Sequence, residues 1–449
     1  MIQGRMKVSV IGAGLAGCEA AWQLANRGIL VELFEMKPQK YTPAHHYKGF
    51  AELICSNSLK AARFDSAAGL LKAEMERMGS LVMESARRFA VPAGGALAVD
   101  RTLFSDYITQ KITSHPNIRV VQEEVTELPE GTVIVAAGPL MSEGLAQAVQ
   151  RLVEEEHLSF FDAAAPIVAA DSIDMAVAFE ASRYSNGEGD DYINCPMNKE
   201  EYERFYEALI SAESAPLKEI DQRDFKVYEG CMPVEVMAKR GADTLRYGPL
   251  KPVGLTDPRT GRRPWAVVQL RKENAGSTMY NLVGFQTNLK WGEQKRVFSM
   301  IPGLKEAEFL RYGVMHRNTF INSPKLLNAA FQLKKQPEIF FAGQITGVEG
   351  YTESAASGML AGVNAGRRLE GKEPVILPRE SMLGALSHYI SDETVVNFQP
   401  MGANMGVLPA LEERIRDKKL RYRTLSERGY RALEAALMKY GEYEDRKGM

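Results

Sequence analysis

The spacing of apolar and polar residues predicts a βαβ unit at the start of the chain. The apolar run Val8–Ile11 has the length of a buried strand, and the glycine-rich turn Gly12–Gly17 follows it directly. Residues from about 15 to 27 form a predicted helix, and a second apolar run near Val31 predicts a strand that ends at the acid Glu35. This order of elements is typical of a parallel sheet covered by helices.

A second strand-to-glycine turn lies near the other end of the chain. The run Glu338–Ala342 leads into Gly343, and a helix rich in small residues follows from Glu353. Small residues let a helix approach a sheet or a ligand closely. Between the two ends, the apolar run 131–137 ends at Gly138 and predicts a strand. It resembles segments that in flavoproteins return the chain to the nucleotide site. Glycine turns at both ends of the chain predict one long cofactor held by both, which favours FAD over NAD.

The pattern changes between about 141 and 305. This part contains a predicted charged helix at 151–157, a segment of aromatic and acidic residues at 190–207, and strand-like runs that begin at Trp265 and Met279. We therefore predict an α/β protein with a Rossmann-like FAD-binding domain in two parts, residues 1–140 and 306–449. A smaller α/β domain, residues 141–305, is inserted between them, and the segment from Leu411 on is predicted to be helical and rich in charge.

The turn after the first strand has the spacing of a dinucleotide-binding fingerprint. Gly12 permits the tight turn, Gly14 lets the backbone approach a pyrophosphate, and Gly17 lets the helix pack against the strand. The helix N-terminus offers N–H groups to the phosphates, and an acid at the end of the second strand accepts hydrogen bonds from a ribose diol. The predicted cofactor contacts of this unit are Gly12, Ala13, Gly14, Leu15, Ala16, Gly17 and Glu35. The fingerprint alone does not separate NAD from FAD, and a glycine-rich turn without a ligand is the alternative.

Composition and charge are those of an ordinary globular protein. The chain has 449 residues, of which 45% are hydrophobic and 25% charged, and its net charge is -2. No apolar run approaches the roughly 20 residues of a membrane-spanning helix. Because the N-terminus enters the first strand without an apolar signal segment, we expect a cytoplasmic protein without a membrane partner. A net charge near zero means that any nucleic-acid surface must be a local patch.

Four cysteines are candidates for chemistry. They are Cys18, Cys55, Cys195 and Cys231. None belongs to a Cys-x-x-Cys pair, which argues against a zinc site, a dithiol centre or a disulfide framework, and we expect no metal. Cys55 lies in a polar turn, and Cys231 lies in a loop between a glycine and a proline, with cations nearby in sequence that favour a thiolate. On local sequence alone a buried, inert thiol is the alternative for both, and we interpret the other two as structural.

The stretch Lys239–Lys272 is the most basic part of the chain. Nine lysines and arginines oppose two aspartates there, and Tyr247 and Trp265 are interleaved with them. Cations together with aromatic rings suit phosphate contacts and base stacking. The residues predicted to contact RNA are Arg246, Lys251, Arg259, Arg262 and Arg263. An ordinary solvated face is the alternative.

Five motifs together resemble those of the bacterial folate- and FAD-dependent tRNA (uracil-5-)-methyltransferase family. They are Gly12–Trp22, Pro43–His46, Cys55–Lys60, Glu229–Glu235 and Phe341–Ser354, and they span nearly the whole chain. The resemblance implies FAD bound across the first domain, methylenetetrahydrofolate as carbon donor, NAD(P)H as reductant and the T-loop uridine of tRNA as methyl acceptor. It also extends the cofactor site to Gly138, Gly343, Gln344, Gly347 and Tyr351.

The resemblance gives two of the thiols a role. Uracil C5 is a poor nucleophile until a group adds at C6, and a thiolate suits that addition. Cys231 is the expected nucleophile toward uracil and Cys55 the second catalytic thiol near the flavin, although the sequence leaves the two roles exchangeable. Two alternatives stay open. One is a flavoprotein partner in wobble-uridine modification, whose relatives carry a further C-terminal helical domain, and the other is a non-catalytic flavin-loaded tRNA-binding protein.

Overall fold

The computed structural model describes residues 6–42, 44–154, 158–163, 165–183, 190–215, 232–313, 315–395 and 398–442. Its strands are β1 (Lys7–Ile11), β2 (Leu30–Phe34), β3 (Ser58–Ala61), β4 (Ala90–Val91), β5 (Ala96–Val99), β6 (Ile118–Val121), β7 (Thr132–Val135), β8 (Leu158–Ala163), β9 (Ile167–Ala169), β10 (Phe179–Glu180), β11 (Tyr192–Met197), β12 (Ala266–Lys272), β13 (Met279–Leu282), β14 (Phe309–Arg311), β15 (Met315–Phe320) and β16 (Ile339–Phe341). Its α-helices are Leu15–Ala25, Ala67–Arg77, Leu81–Arg88, Arg101–Ser114, Glu143–Val153, Lys199–Ser211, Val234–Ala238, Thr244–Tyr247, Trp291–Phe298, Ser323–Leu326, Tyr351–Leu369, Met382–Tyr389 and Lys418–Tyr440.

A five-stranded parallel sheet forms the centre of the first domain, with strand order β16-β7-β1-β2-β6. The apolar residues Val8 and Val10 of β1 are fully buried at its middle. The chain moves outward from β1 to β2 and β6 on one side and returns to β7 and β16 on the other. The carboxyl ends of β1 and β7 therefore form the switch point at which such sheets bind ligands. The Rossmann-like fold predicted from the sequence is confirmed.

Two helices from opposite ends of the chain pack in close contact on this sheet. Leu15–Ala25 follows β1, and Tyr351–Leu369 follows the turn after β16. A side chain at Gly358 would come within 2.0 Å of the carbonyl oxygen of Ala16. The small residues of the late helix thus serve a contact between helices, and this contact brings the late glycine turn beside the first one.

A second, six-stranded sheet is antiparallel, with strand order β10-β11-β12-β13-β9-β14. Alternate residues of β12 point to opposite faces, as the two-residue period of a strand requires. Val268 and Leu270 enter an apolar core with Phe205. Arg271, on the other face, donates a hydrogen bond to Asn57 of the first domain. This face of the second sheet is therefore turned toward the segment that contains Cys55.

The elements next to the two predicted domain boundaries pack as follows. The helix Glu143–Val153 packs into the first core through Leu145 and Val149, and β14 still pairs with β9 of the second sheet. Packing in the first core thus continues to Val153 and pairing in the second sheet continues to Arg311, while the boundaries at 141 and 305 stay predictions. The apolar face of a helix does not reveal which core it joins, and a three-residue strand is too short to show an alternating pattern.

Local predictions agree with the structure at most other places. The strand-like runs that begin at Trp265 and Met279 are β12 and β13, and the charged C-terminal segment contains the helix Lys418–Tyr440. The prediction of a charged helix at 151–157 is wrong, because the helix there ends at Val153. Residues 155–157 lie outside the described ranges. Within those ranges, no helix combines the length and apolar character that a membrane span requires.

Candidate active site

One deep cleft opens where the carboxyl ends of β1, β2, β7 and β16 meet. Gly12 follows β1, Glu35 follows β2 and Gly343 lies just after β16, so residues far apart in sequence reach one edge of the sheet. The cleft holds about 2060 Å³ of space without protein atoms, part of it open to solvent. The sequence-predicted residues that line it are Gly12, Ala13, Gly14, Leu15, Ala16, Glu35, Cys55, Gly138, Gly343, Gln344 and Tyr351.

The three fingerprint glycines have different surroundings. Gly12 has a φ of +96°, which favours glycine, and a side chain at Gly17 would come within 1.8 Å of the Gly12 carbonyl oxygen. Gly17 therefore allows the helix to pack on the strand behind the cleft. A Cβ at Gly14 would meet no described protein atom within 4 Å. Because no described side chain caps the helix that Gly14 precedes, the N–H groups of its first turn are offered to an anion in the cleft.

The backbone holds the Glu35 carboxylate at the cleft edge. Its Oε2 accepts a 2.8 Å hydrogen bond from the N–H of Ala13, and its Oε1 accepts a 2.9 Å bond from the N–H of Lys37. A carboxylate has about four acceptor positions. Two positions thus remain for donors of a ligand such as a ribose diol.

The late glycine turn forms the opposite wall. Gly343 has a φ of +85°, and the Gln344 amide donates a 2.8 Å hydrogen bond to Glu349. Gly347, which the resemblance also implies as a cofactor contact, lies against Phe398, because a side chain there would come within 2.4 Å of the Phe398 ring. Its φ of +83° shows that it shapes the turn that leads to the late helix.

Cys55 lies in the cleft beside the first residue of the late helix. The Cys55 sulfur is 3.0 Å from the Tyr351 hydroxyl oxygen, which also accepts hydrogen bonds from the N–H groups of Cys55 at 2.8 Å and of Ser56 at 3.2 Å. Burial, and next the charge of the neighbouring sulfur, raise the pKa of Tyr351 above its ordinary value. A phenol thus stays protonated beside a partly exposed thiol.

Several charged residues of this site were not found from the sequence. Arg101 and Arg311 donate hydrogen bonds to the Ile54 carbonyl oxygen, at 3.0 Å and 2.9 Å. Lys60 also lines the cleft and forms a 2.8 Å ion pair with the buried Glu353. The motif Cys55–Lys60 could have pointed to Lys60 as a site residue. Arg101 and Arg311 belong to none of the five motifs, so no signal in the sequence pointed to them.

The other three cysteines are placed as follows. Cys18 and Cys195 are buried, and burial raises the pKa of both thiols, that of Cys195 to about 12, so they are not thiolates at neutral pH. Cys231 lies outside the described residues. The described chain resumes at residue 232, and the N–H of Val234 donates a 2.7 Å hydrogen bond to the carbonyl oxygen of Gln286, a residue that lines the cleft.

Arg246 is part of a packed surface. Its guanidinium carbon lies 3.6 Å from the centre of the Trp265 ring, and the group also pairs with Asp243. A cation over an indole face is a favourable contact. Arg271, from the same basic stretch, is buried against the first domain and is not available to a polyanion.

The remaining basic residues lie on the loop that precedes β12. Arg259, Arg262 and Arg263 are exposed, and Lys251 is partly buried. Arg259 forms hydrogen bonds of 3.0 and 2.7 Å with the two carboxylate oxygens of Asp257. The loop therefore presents three guanidinium groups on one short exposed segment.

Comparison with known proteins identifies the family. A family model described as "GIDA: Glucose inhibited division protein A" matches residues 7–373. The protein named Methylenetetrahydrofolate--tRNA-(uracil-5-)-methyltransferase TrmFO from Acetivibrio thermocellus is 60% identical over 434 residues, which is 96% of this chain and 99% of that protein. The chain belongs to this family. The protein of the same name from Ligilactobacillus salivarius is 58% identical over 421 residues, 94% of this chain and 96% of that protein. The family and the enzyme class predicted from the five motifs are confirmed.

Solved structures agree on the fold. The Aquifex aeolicus GidA structure in the form II crystal aligns with a TM-score of 0.71 at 17% identity, covering 99% of this chain and 75% of that chain. The form I crystal gives a TM-score of 0.70 at 18% identity, covering 99% of this chain and 77% of that chain. At such identity the likeness concerns the fold alone.

Proposed function

We propose that this enzyme methylates C5 of the T-loop uridine of tRNA. Methylenetetrahydrofolate is the carbon donor and NAD(P)H the reductant, and FAD, when bound and reduced, would supply both a carrier for the carbon and the hydride. The observation that carries the proposal is the cleft, in which the turns at Gly12 and Gly343 and the thiol of Cys55 share one space. The names of the relatives at 58–60% identity, which specify a folate donor and a tRNA uracil acceptor, support the same reaction.

The residues of the cleft fit a bound FAD. The first-turn N–H groups and the open space at Gly14 suit the pyrophosphate, and Glu35 retains acceptor positions for the ribose. The remaining proposed contacts are Gly138, Gly343, Gln344 and Tyr351. When bound, FAD supplies the hydride chemistry that amino-acid side chains lack.

Two thiols divide the remaining chemistry. The thiolate of Cys231 adds to uracil C6, and this addition makes C5 nucleophilic toward the one-carbon donor. After C5 has bound the carbon, the C5 proton leaves and the bond between the carbon and its donor nitrogen breaks, which leaves an exocyclic methylene at C5. Hydride adds to this methylene to complete the methyl group, and the Cys231 sulfur is expelled from C6 as the C5–C6 double bond forms again. Cys55 assists carbon transfer or proton removal, which its position in the cleft beside Tyr351 supports.

The exposed basic loop is the proposed contact for tRNA. Arg259, Arg262 and Arg263 are exposed there, and the Tyr247 and Trp265 side chains at either side are 83% and 37% exposed. Guanidinium groups neutralise phosphates and exposed rings stack on bases, so the combination suits an RNA surface.

A labelling experiment tests the reaction as a whole. The purified enzyme is incubated with tRNA that carries tritium at uridine C5, and with methylenetetrahydrofolate or S-adenosylmethionine labelled in the transferred carbon. We expect tritium release and label in tRNA from the folate donor alone. Label that arrives from S-adenosylmethionine would contradict the proposal.

A further inference from the structure

Two guanidinium groups hold one side of the turn that contains Cys55. Arg101 donates to the carbonyl oxygens of Leu53 and Ile54, the latter at 3.0 Å, and Arg311 donates to the same Ile54 oxygen at 2.9 Å. Arg101 begins a helix of the first domain, whereas Arg311 ends β14 of the second sheet. The backbone immediately before Cys55 is therefore fixed from both domains.

A third guanidinium group holds the other side of the turn. Arg271 donates to the Ser56 hydroxyl oxygen at 2.7 Å and to the Asn57 side-chain oxygen at 3.0 Å. Asn57 is fully buried and donates to the Val99 carbonyl oxygen at 2.9 Å, so this anchor has little freedom. The residues on both sides of Cys55 are thus bonded to buried or half-buried arginines.

The charges of this cluster do not cancel. Glu273, whose side chain is 1% exposed, pairs with Arg101 at 2.6 Å. Among the described ion pairs, it is the one carboxylate that pairs with any of the three arginines. Three guanidinium groups and one carboxylate leave two positive charges in excess. Burial and the nearby Arg101 lower the pKa of Arg311 to about 10, while Glu273, Tyr351 and Cys55 act in the opposite direction. An anion at the Cys55 sulfur would relieve this repulsion.

Two other charged side chains that line the cleft, Lys60 and Glu349, have described partners of their own. Lys60 is paired with Glu353, so the two charges balance. Glu349 accepts a hydrogen bond from Gln344. The Tyr351 hydroxyl beside the sulfur is neutral, because burial and then the sulfur charge raise its pKa. The Cys55 thiol is in contact with this hydroxyl. It is the group whose ionised form an excess of positive charge would favour.

We propose that Arg101, Arg271 and Arg311 are positioning residues that fix the Cys55 turn and, through their combined positive charge, favour the thiolate form of Cys55. An opposite charge within a few ångströms moves a pKa by about one to three units toward the charged form. The proposal deepens the proposed function and rests on it for the use of this thiolate in methylation, but the ionisation of Cys55 is measurable without any turnover.

The test is the pH dependence of Cys55 alkylation by iodoacetamide in the purified holoprotein. The tryptic peptide 49–60 contains Cys55 as its single cysteine, so mass spectrometry reports this thiol alone. We expect the rate to reach its midpoint below pH ~8.5, the value of an ordinary thiol. In Arg271→Gln and in Arg311→Gln the midpoint should rise by about one pH unit, and the rate at pH 7 should fall about tenfold.

Three comparisons separate charge from structure. Arg271→Lys keeps the charge and should keep the parent midpoint. Arg311→Gln is the milder of the two glutamine variants, because Arg311 donates to the Ile54 carbonyl oxygen alone among its described hydrogen bonds. Arg367→Gln is the matched control, since Arg367 is also buried and paired, with Glu442, but lies roughly 24 Å along its helix from Tyr351. It should leave the midpoint unchanged.

The outcomes test the positioning role of the arginines and the role of Cys55 in methylation separately. An unchanged midpoint in both glutamine variants, or an equal rise in Arg271→Lys, would overturn the positioning role. If the midpoint rises as expected but Cys55→Ser still methylates tRNA at the parent rate, the positioning role stands and the role of Cys55 in the proposed function fails.

Discussion

The hydroxyl oxygen of Tyr351 accepts two backbone hydrogen bonds, from Cys55 and Ser56, and lies 3.0 Å from the Cys55 sulfur. A phenol oxygen that already accepts two N–H groups has its own proton left to donate. The sulfur is therefore the acceptor in this pair, and a thiolate accepts more strongly than a thiol. Tyr351 thus stabilises the form of Cys55 that is reactive.

Tyr351→Phe should weaken this thiolate. The variant removes the donor to the sulfur and leaves two N–H groups without their acceptor, which costs about 1–3 kcal/mol. We expect alkylation of Cys55 at pH 7 and tRNA methylation both to fall about tenfold. Tyr389→Phe is the control, because its hydroxyl donates to a backbone carbonyl at 2.7 Å away from the thiol. Equal alkylation rates in the two variants would refute the assigned direction of the hydrogen bond.

Gly14→Val and Gly17→Ala should fail in different ways. A side chain at Gly14 enters open cleft space, so the Gly14→Val protein should contain no FAD but keep the thermal transition of the FAD-free parent protein. A side chain at Gly17 meets the Gly12 carbonyl oxygen at 1.8 Å, so Gly17→Ala should lower the thermal transition itself. Absorbance of the bound flavin and calorimetry measure the two effects. A flavin-loaded, yellow Gly14→Val protein would show that the pyrophosphate lies elsewhere.

Replacing Arg259, Arg262 and Arg263 together by alanine should weaken tRNA binding and reduce its salt dependence. For each phosphate that the variant no longer neutralises, the slope of log affinity against log salt should become shallower by about 0.7–0.9. Flavin content should stay normal, because these residues do not line the cleft. The measurement is tRNA affinity at several salt concentrations.

The control for this triple variant replaces three exposed arginines from other surfaces. Arg119, Arg151 and Arg423 each pair with a glutamate and are 58–76% exposed. Their replacement should leave the salt slope near that of the parent protein. Equal slopes in the two triple variants would mean that the loop before β12 is an ordinary solvated surface.

The two proposed catalytic thiols should be separable with tRNA that contains 5-fluorouracil. A fluorine at C5 cannot leave as a proton does, so the adduct of the nucleophile at C6 accumulates. Cys231→Ala should lose this covalent complex yet still bind FAD and accept electrons from NADPH. Cys55→Ala should lose methylation and keep the complex. If Cys231→Ala traps the fluorinated tRNA as well as the parent protein does, the nucleophile has been assigned to the wrong thiol.

Lys72 should make the stability of the fold depend on pH in the alkaline range. Its side chain is fully buried and donates to the carbonyl oxygens of Ala61 at 2.9 Å and Ala68 at 3.1 Å. Burial lowers the pKa of Lys72 from 10.5 to about 8. Between these values the unfolded chain binds more protons than the folded protein, so the free energy of unfolding rises with pH.

Lys72→Met should remove this rise. Relative to the variant, the parent should gain about 3 kcal/mol in unfolding free energy between pH 8 and 10.5. Urea unfolding at both pH values measures the difference. Lys40→Met, at a lysine with a 52% exposed side chain, should follow the parent. A parent and a Lys72→Met protein with the same pH dependence would show that the buried amine keeps its proton.

The sequence by itself determined the elements whose signals are local. The apolar run before Gly12, the helix that follows and the acid Glu35 at the end of the next strand have fixed spacings within one βαβ unit, and the structure has these elements. The same holds for the turn at Gly343, where a strand, a glycine and a small-residue helix are consecutive. Such patterns are readable because the period of an element and the conformational needs of a turn are properties of neighbouring residues.

Only the tertiary structure decided which of these elements meet. Tyr351 and Cys55 are 296 residues apart, and Arg271 reaches Asn57 across 214 residues, so no local pattern records either contact. The sequence places Arg271 in a basic stretch because its neighbours are cations, yet the alternation of β12 turns it toward the first domain. Packing between distant elements depends on the shapes and charges of whole faces, and the chain order of residues does not specify that pairing.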